Sequence, residues 1–248
     1  MAIEGWLGER PTSRRDGDLP ATRPSAPDGP EALFFVHIPK CAGSSFRAVL
    51  KRWFGKGLLT SDTNDRELFR QRVAARADPP RAVAGHFAFG LHEGVASRPF
   101  YVSLVRDPVD RFVSVYKHAR QTPGHVLNPA AAALDLEAFY EHTLVDPRAR
   151  RRTVGVQCFF LARTPSFSAA WPIIARNYRL LAPAEAFDDF IREAADLFDK
   201  PAIPSPTRNR RPSEDRVALA ARALEPRIRR DHHEDQQLYD RLRAAAES

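Results

Sequence analysis

The stretch Leu33–Trp53, LFFVHIPKCAGSSFRAVLKRW, places an apolar run, a short loop and an amphipathic segment in direct succession. Its first residues, Leu33–Val36, have the composition and length of a buried strand. Ser44 and Ser45 then lie where a helix N-cap is expected. The helical spacing follows at Phe46, Val49, Leu50 and Trp53. A helix N-terminus with Lys40 just ahead of it predicts a site for phosphate or sulfate.

The composition is that of an ordinary globular chain. With 248 residues, 43% hydrophobic and 28% charged, the protein can bury a sizeable core as one large or two small domains. We find neither a run of roughly 20 apolar residues for a membrane span nor the apolar core of a secretory signal at the N-terminus. Two cysteines, Cys41 and Cys158, are too few for a disulfide framework. We therefore expect a cytoplasmic protein.

The net charge of +7 favours anionic partners. The positive charge is mostly arginine, spread along the whole chain, which is typical of a GC-rich coding bias. It therefore does not predict nucleic-acid binding. Lysine is rare, and a compact ammonium at Lys40 suits a phosphate loop better than a planar guanidinium.

The chain falls into a tail and one domain. Residues 1–30 are rich in Pro, Arg, Asp, Gly and Ser and predict a disordered or loosely held tail. Residues 31–248 form the predicted domain. After the opening unit, the patterns predict a helix over Asp65–Ala77 with Leu68, Phe69 and Val73 inward, strands at Arg81–His86 and Phe100–Val105, and a helix over Val109–Arg120. This alternation predicts an α/β fold with a central parallel sheet flanked by helices.

The second half of the chain is less regular. The predicted features are a long surface loop at 121–135, a helix at Leu136–Thr143, a helix or strand at Thr153–Leu161, a strand at Tyr178–Leu181, a helix at Ala184–Leu197, a Pro/Arg-rich loop at Pro201–Pro212 and helices at 213–224 and 231–245.

A second anion site is predicted after the strand at Phe100–Val105. Arg106 follows that strand directly, and Ser114 lies on the polar side of the next helix. His86 follows another strand. In open α/β sheets the ligand lies outside the carboxyl ends of the strands, so these residues and Lys40 are expected to converge on a ligand with two anionic ends.

These motifs resemble those of sulfotransferases that use 3′-phosphoadenosine 5′-phosphosulfate (PAPS), in the branch with Golgi heparan and chondroitin enzymes and bacterial relatives. Residues 35–45, FVHIPKCAGSS, resemble the 5′-phosphosulfate loop. Residues 103–116, SLVRDPVDRFVSVY, resemble the 3′-phosphate site. Gly85-His86 matches the place where heparan 2-O-type enzymes keep their base. Weaker similarities, to a loop over the cofactor and to the C-terminal DHHEDQQLYDRL, extend the resemblance over about residues 31–245; the loop residues are Arg208, Asn209 and Arg210.

The resemblance implies a role for each matched residue. Lys40 would stabilise the leaving group, His86 would act as general base on an acceptor hydroxyl, and no metal would be needed. Arg106 and Ser114 would bind the 3′-phosphate. The 5′-phosphosulfate would be held by the loop residues Cys41, Ala42, Gly43, Ser44 and Ser45. Cys41 stands where relatives usually have threonine, and we interpret it as a tolerated change facing the phosphate pocket.

The remaining histidines and arginines have less specific interpretations. His37 is expected to be structural or a neighbour of the base. His118 and His125 are candidates for the acceptor side. His232 and His233 are expected at the surface. The cluster Arg148–Arg152 fits either an anionic glycan or a solvated face, with the solvated face slightly favoured.

Two other functions fit parts of the sequence. A P-loop kinase or NTPase shares the strand–loop–helix unit, but the chain lacks G-x-x-x-x-G-K-[ST] and a strand ending in a clear magnesium-binding aspartate. A basic protein that binds nucleic acid or an anionic polymer would rely on its positive charge alone, since the chain contains no known nucleic-acid-recognition module. For the enzyme, the expected acceptor is a hydroxyl on a saccharide or glycolipid. Nucleic acid and a transmembrane segment are not expected, peripheral membrane contact stays open, and the oligomeric state is unknown.

Overall fold

Five parallel strands form one sheet in the computed structural model, which describes residues 31–93, 98–204 and 216–246. The strands are β1 Glu31–Val36, β2 Leu58–Thr60, β3 Ala82–Gly85, β4 Arg98–Val105 and β5 Tyr178–Pro183. They lie in the order β2-β3-β1-β4-β5, and every neighbouring pair is parallel. The predicted α/β fold with a parallel sheet is confirmed, and the run Phe100–Val105 lies in an interior strand as expected. The tail 1–30 lies outside the described residues.

Eleven α-helices are present in the described part of the chain. They are α1 Gly43–Phe54, α2 Arg66–Ala74, α3 Pro108–Gln121, α4 Asn128–Ala133, α5 Leu136–Val145, α6 Pro147–Thr153, α7 Val156–Ala162, α8 Phe167–Asn177, α9 Phe187–Leu197, α10 Arg216–Asp231 and α11 His233–Ala246. Short 3₁₀ turns occupy Gly55–Gly57 and Ala184–Ala186. The stretch 121–135, predicted as a loop, contains α4, because Leu127 and Ala131 are buried there. The undecided run Thr153–Leu161 is mostly the helix α7.

The sheet carries helices on both faces. Alternate residues of β1 point to opposite sides, so that Phe34 and Val36 pack with α2, α7, α8 and α11, whereas Leu33 and Phe35 pack with α1 and α9. A further cluster joins α3, α4, α5, α6 and α10. The central strands are apolar on both faces because both faces are covered.

Two local expectations are wrong. Leu68 on α2 is 45% exposed, while its neighbour Phe69 is fully buried, so the inward face of α2 is narrower than the pattern suggested. Helix α1 begins at Gly43, and its N-cap is Ala42 in the left-handed conformation, with no side-chain cap. Ser44 and Ser45 therefore lie in the first turn of α1 instead of capping it.

The strand order positions the site. β1 lies between β3 and β4, so the segments that follow these three strands meet at one edge of the sheet. Those segments carry Lys40, His86 and Arg106. Within the described residues, no helix combines the length and the apolar character that crossing a bilayer requires.

Candidate active site

A cavity of about 680 Å³ opens at the carboxyl edge of the sheet. Its walls come from the segments after β1, β3 and β4, from α3 and from α6–α7. The lining residues are His37, Pro39, Lys40, Ala42, Gly43, Ser44, His86, Arg106, Ser114, Val115, His118, His125, Leu127, Arg151, Arg152, Val156 and Phe160. Its volume is within the usual range for small-molecule sites.

The loop between β1 and α1 turns its backbone toward this cavity. Lys40 and Ala42 both have positive φ, 70° and 59°, a conformation that non-glycine residues adopt rarely and that is common at functional sites. A left-handed residue followed by helical ones turns successive N–H groups to one side, which makes a concavity for anions. Gly43 is required by close approach, because a Cβ there would lie 1.9 Å from Cδ2 of His37.

His86 is held in one orientation by two contacts. Its backbone N–H donates to Oδ1 of Asp62 at 2.8 Å, and its ring Nδ1 lies 2.7 Å from the carbonyl oxygen of His37. Since a carbonyl only accepts, Nδ1 carries the proton in this contact. The neutral ring therefore has its lone pair on Nε2, the nitrogen left for the cavity.

His37 lies beneath His86, with ring centroids 4.1 Å apart and nearly stacked planes. Its side chain is buried, and its Nδ1 has no hydrogen-bond partner among the described residues. Burial, followed by the charge of His86, lowers the pKa of His37 to about 3. His37 is thus a neutral packing partner of His86; the sequence led us to expect a structural residue or a neighbour of the base.

Arg106 and Ser114 reach the same cavity from the end of β4 and from α3. Among the described residues, the guanidinium of Arg106 makes a long ion pair with Asp110, at 3.7 Å, and a long hydrogen bond of 3.5 Å to the carbonyl oxygen of Lys40. Asp107 is occupied elsewhere, since its carboxylate caps α3 and pairs with Arg229 at 2.9 Å. Arg106 thus keeps its charge directed at the cavity.

The cavity is electropositive. Among the described residues that line it there are four permanent cations and no carboxylate; the cations are Lys40, Arg106, Arg151 and Arg152. Burial, together with the nearby Arg106, lowers the pKa of Lys40. Burial and then the neighbouring cations also lower the pKa of His118 and His125, which keeps both imidazoles neutral near pH 7. A bound anion would relieve this repulsion.

Comparison with known proteins identifies the family. The family model described as "Sulfotransferase family" matches residues 27–152, half of the chain, including both anion loops and His86. The chain belongs to the sulfotransferase family. The resemblance to PAPS-dependent sulfotransferases is confirmed, and the protein is an enzyme that transfers a sulfuryl group to an acceptor.

A solved sulfotransferase has the same overall fold as this sulfotransferase. Mouse sulfotransferase SULT7A1, solved in complex with PAP, aligns with a TM-score of 0.52 at 14% identity, over 88% of this chain and 89% of that one. A sulfotransferase from Alicyclobacillus acidocaldarius aligns with a TM-score of 0.47 at 14% identity, over 85% and 98%. A search among curated protein sequences gives no match.

Most of the site residues predicted from the sequence meet in this one cavity of the sulfotransferase. Those that line it are Lys40, Ala42, Gly43, Ser44, His86, Arg106 and Ser114, joined by the acceptor-side candidates His118 and His125. Two members of the cluster Arg148–Arg152, Arg151 and Arg152, line it as well. Ser45 does not line it. Arg208, Asn209 and Arg210 lie outside the described residues.

Two predictions about this sulfotransferase are wrong. Cys41 does not face the cavity: its side chain is buried, its Sγ lies 3.4 Å from Oε1 of Gln157, and burial raises its pKa to about 12. His232 is not at the surface, since it is 1% exposed, whereas His233 is exposed as expected.

Three buried polar residues behind the cavity were not singled out from the sequence: Arg111, Gln157 and Asp235. Arg111 donates to the carbonyl oxygens of Pro39 at 3.3 Å and Thr153 at 3.0 Å. Gln157 could have been noticed as the one polar side chain in the apolar run VGVQCFFL. Asp235 stands among charged neighbours and gave no such signal.

Proposed function

We propose that the donor PAPS binds in this cavity and that Lys40 and His86 carry the transfer to a hydroxyl of a saccharide or glycolipid. The observation that carries the proposal is the charge of the cavity. Two anion-binding segments leave the adjacent strands β1 and β4, and the described residues that line the cavity include four cations and no carboxylate. A nucleotide with anionic groups at both its 5′ and 3′ positions fits this arrangement.

The segment Lys40–Ser44 is the proposed binding site of the 5′-phosphosulfate. Four of its five residues line the cavity, the missing side chain at Gly43 leaves room, and α1 contributes a positive dipole end. Cys41 would contribute only its backbone, because its side chain points into the core. When bound, PAPS supplies the sulfuryl group, and Lys40 stabilises negative charge on the phosphate side of the bond that breaks.

Arg106 and Ser114 are the proposed 3′-phosphate site. A guanidinium can donate two parallel hydrogen bonds to a phosphate, and Ser114 lines the same cavity. Arg208, Asn209 and Arg210 are proposed to cover the donor on the strength of the sequence resemblance alone.

His86 is the proposed general base. Its Nδ1–H is held by the carbonyl oxygen of His37, so Nε2 can accept the proton of an acceptor hydroxyl. The stacked ring of His37 limits the tilt of the imidazole. The base and the ammonium of Lys40 thus act from neighbouring strands, β3 and β1.

The acceptor is proposed to contact the remaining lining residues, which include apolar Leu127 and Phe160 together with His118 and His125. Apolar surface with a few polar groups suits the ring face and hydroxyls of a sugar. The two cysteines are free and buried, which supports the proposal of a cytoplasmic protein.

Calorimetry with PAP, ATP and ADP, each with and without EDTA and magnesium, tests this proposal. We expect PAP to bind most tightly and its affinity to be unchanged by EDTA, because the proposed contacts are side chains and amides. Preferential, magnesium-dependent binding of ATP would contradict the proposal and favour a P-loop kinase or NTPase. Screening of saccharides and glycolipids with labelled PAPS would then identify the acceptor.

A further inference from the structure

Gln157 on α7 pairs with the backbone of Arg106 at two points. Its Oε1 accepts the N–H of Arg106 at 2.8 Å, and its Nε2 donates to the carbonyl oxygen of the same residue at 2.9 Å. The side-chain amide thus continues the hydrogen bonding of the sheet one residue beyond the end of β4. These two bonds hold the backbone of Arg106 in place, and with it the direction of the Cα–Cβ bond from which its side chain extends.

The same side chain also contacts the other anion-binding segment. Oε1 of Gln157 accepts the S–H of Cys41 at 3.4 Å, in the loop that follows β1. Because burial raises the pKa of this thiol, Cys41 remains protonated and can donate. Gln157 is fully buried, so one side chain touches both the loop of Lys40 and the turn of Arg106 without contact with solvent.

Gln157 is itself held from a distant part of the chain. The carboxylate of Asp235 on α11 accepts the backbone N–H groups of Gln157, at 3.1 Å, and Cys158, at 3.0 Å. Gly155, the N-cap of α7, has no side chain to do this, so Asp235 caps the helix in its place. Asp235 is 1% exposed, and α11 therefore fixes where α7 begins.

We infer that Gln157 is a positioning residue that fixes Arg106 relative to the loop of Lys40, and that it thereby sets the preference for a nucleotide phosphorylated at both the 3′ and 5′ positions. This inference rests on the proposed function, in which Arg106 binds the 3′-phosphate. Gln157 does not line the cavity and acts only through Arg106 and Cys41. Its loss should weaken binding of the 3′-phosphate more than binding of the 5′-phosphate, because the bonds to Arg106 are two and the thiol bond is one and weak.

Calorimetry of the full chain with PAP and with adenosine 5′-monophosphate (AMP) tests the inference. In the variant Gln157→Met, which keeps the length of the side chain without its polar atoms, we expect the Kd for PAP to rise about tenfold or more, as for the loss of a hydrogen bond to a charged group. The Kd for AMP should change by less than about threefold. Gln157→Asn, which keeps the amide on a shorter side chain, is the second variant in case Gln157→Met does not fold. We expect it to raise the Kd for PAP by a smaller factor and to leave the Kd for AMP unchanged.

Cys158→Ala is the matched control, since Cys158 is equally buried on the same turn of α7 and its thiol donates to the carbonyl oxygen of Glu234 on α11. It should leave both Kd values unchanged. A folded Gln157 variant in which the Kd values for PAP and AMP stay unchanged, or rise by the same factor, would overturn the inference. If the unsubstituted protein binds PAP no more tightly than AMP, the proposed 3′-phosphate site itself is wrong. This measurement needs no variant.

Discussion

Lys40 and His86 line one cavity from neighbouring strands, and their side chains have opposite chemical characters. Lys40 is a cation whose pKa is lowered by burial and by Arg106, whereas His86 presents a lone pair on Nε2. In the proposed mechanism, Lys40 stabilises the departing oxygen and His86 accepts a proton from the attacking one. The two roles are separable by substitution.

Lys40→Ala and His86→Asn should each lower kcat by about 10²–10⁴-fold, the usual cost of removing a charge-stabilising group or a general base. The asparagine amide can still donate to the carbonyl of His37, so His86→Asn should keep the PAP affinity, whereas Lys40→Ala should weaken it. The measurement is release of PAP with the best acceptor found by screening.

The exposed Lys51 and His233 offer matched controls. Lys51→Ala and His233→Asn should keep the parent rate. If Lys40→Ala or His86→Asn also transferred sulfate at that rate, the proposed roles would be wrong.

Individual site residues were predictable where a regular element precedes them. Lys40, His86 and Arg106 each follow a short apolar strand, and the carboxyl ends of parallel strands meet by geometry. Cys41 lies between the positive-φ residues Lys40 and Ala42, in a loop with no periodicity, and no pattern indicates where its side chain points. The same holds for Ala42 as N-cap, since a left-handed alanine has no sequence signature.

At the scale of elements, α3 connects the loop of Lys40 to the last turn of α6 through Arg111. This buried guanidinium donates to three carbonyl oxygens, those of Pro39, Arg152 and Thr153. Arg152 lines the cavity, so Arg111 holds two parts of the wall together.

Arg111→Met should lower the free energy of unfolding by about 2–4 kcal/mol, because buried carbonyl groups lose their donors. It should also weaken PAP binding, since Pro39 adjoins Lys40. Urea unfolding followed by circular dichroism measures the first effect. Arg120→Met on the exposed side of the same helix is the control, with an expected change below about 1 kcal/mol; similar losses for both variants would contradict the special role of Arg111.

Whole elements were predictable where local pattern and tertiary packing agree, as for β1, β4 and α3. The run Thr153–Leu161 stayed ambiguous because a short apolar run is buried equally well as helix or strand. The helical conformation is stabilised by Asp235, far along the chain, which caps α7. Helix α4 lies in the stretch 121–135 that was predicted as a loop, and the burial of Ala131 against α3 and α5 stabilises this short helix.

At the scale of the whole molecule, two neutral histidines in the interior make stability depend on pH. Burial is the main reason why the pKa values of His37 and His232 are both lowered to about 3. In the unfolded chain these groups titrate near pH 6.5. Between about pH 6.5 and 3 the unfolded state therefore binds protons that the folded state excludes, and stability falls as the pH falls.

His232→Leu should reduce this dependence. Each such histidine contributes a slope approaching about 1.4 kcal/mol per pH unit below about pH 5.5, and the leucine variant should lose one such contribution. Both ring nitrogens of His232 lack a partner among the described residues, so stability at pH 7 should be unchanged or higher. Urea titrations between pH 7 and 4 measure both effects. His233→Gln is the control. If the free energy of unfolding of His232→Leu kept the parent's slope against pH, His232 would bind its proton as readily in the folded state as in the unfolded chain.

The order of the chain has an evolutionary consequence. Between α3 and β5 the chain makes an excursion through α4–α8, with no strand, and this excursion supplies Arg151, Arg152, Val156 and Phe160 to the cavity wall. Mutation and insertion there can reshape the region proposed for the acceptor while the sheet and both donor segments stay as they are. Selection for a new acceptor therefore has a long stretch of chain to act on, with one constraint. Any replacement must still present an amide where Gln157 now stands.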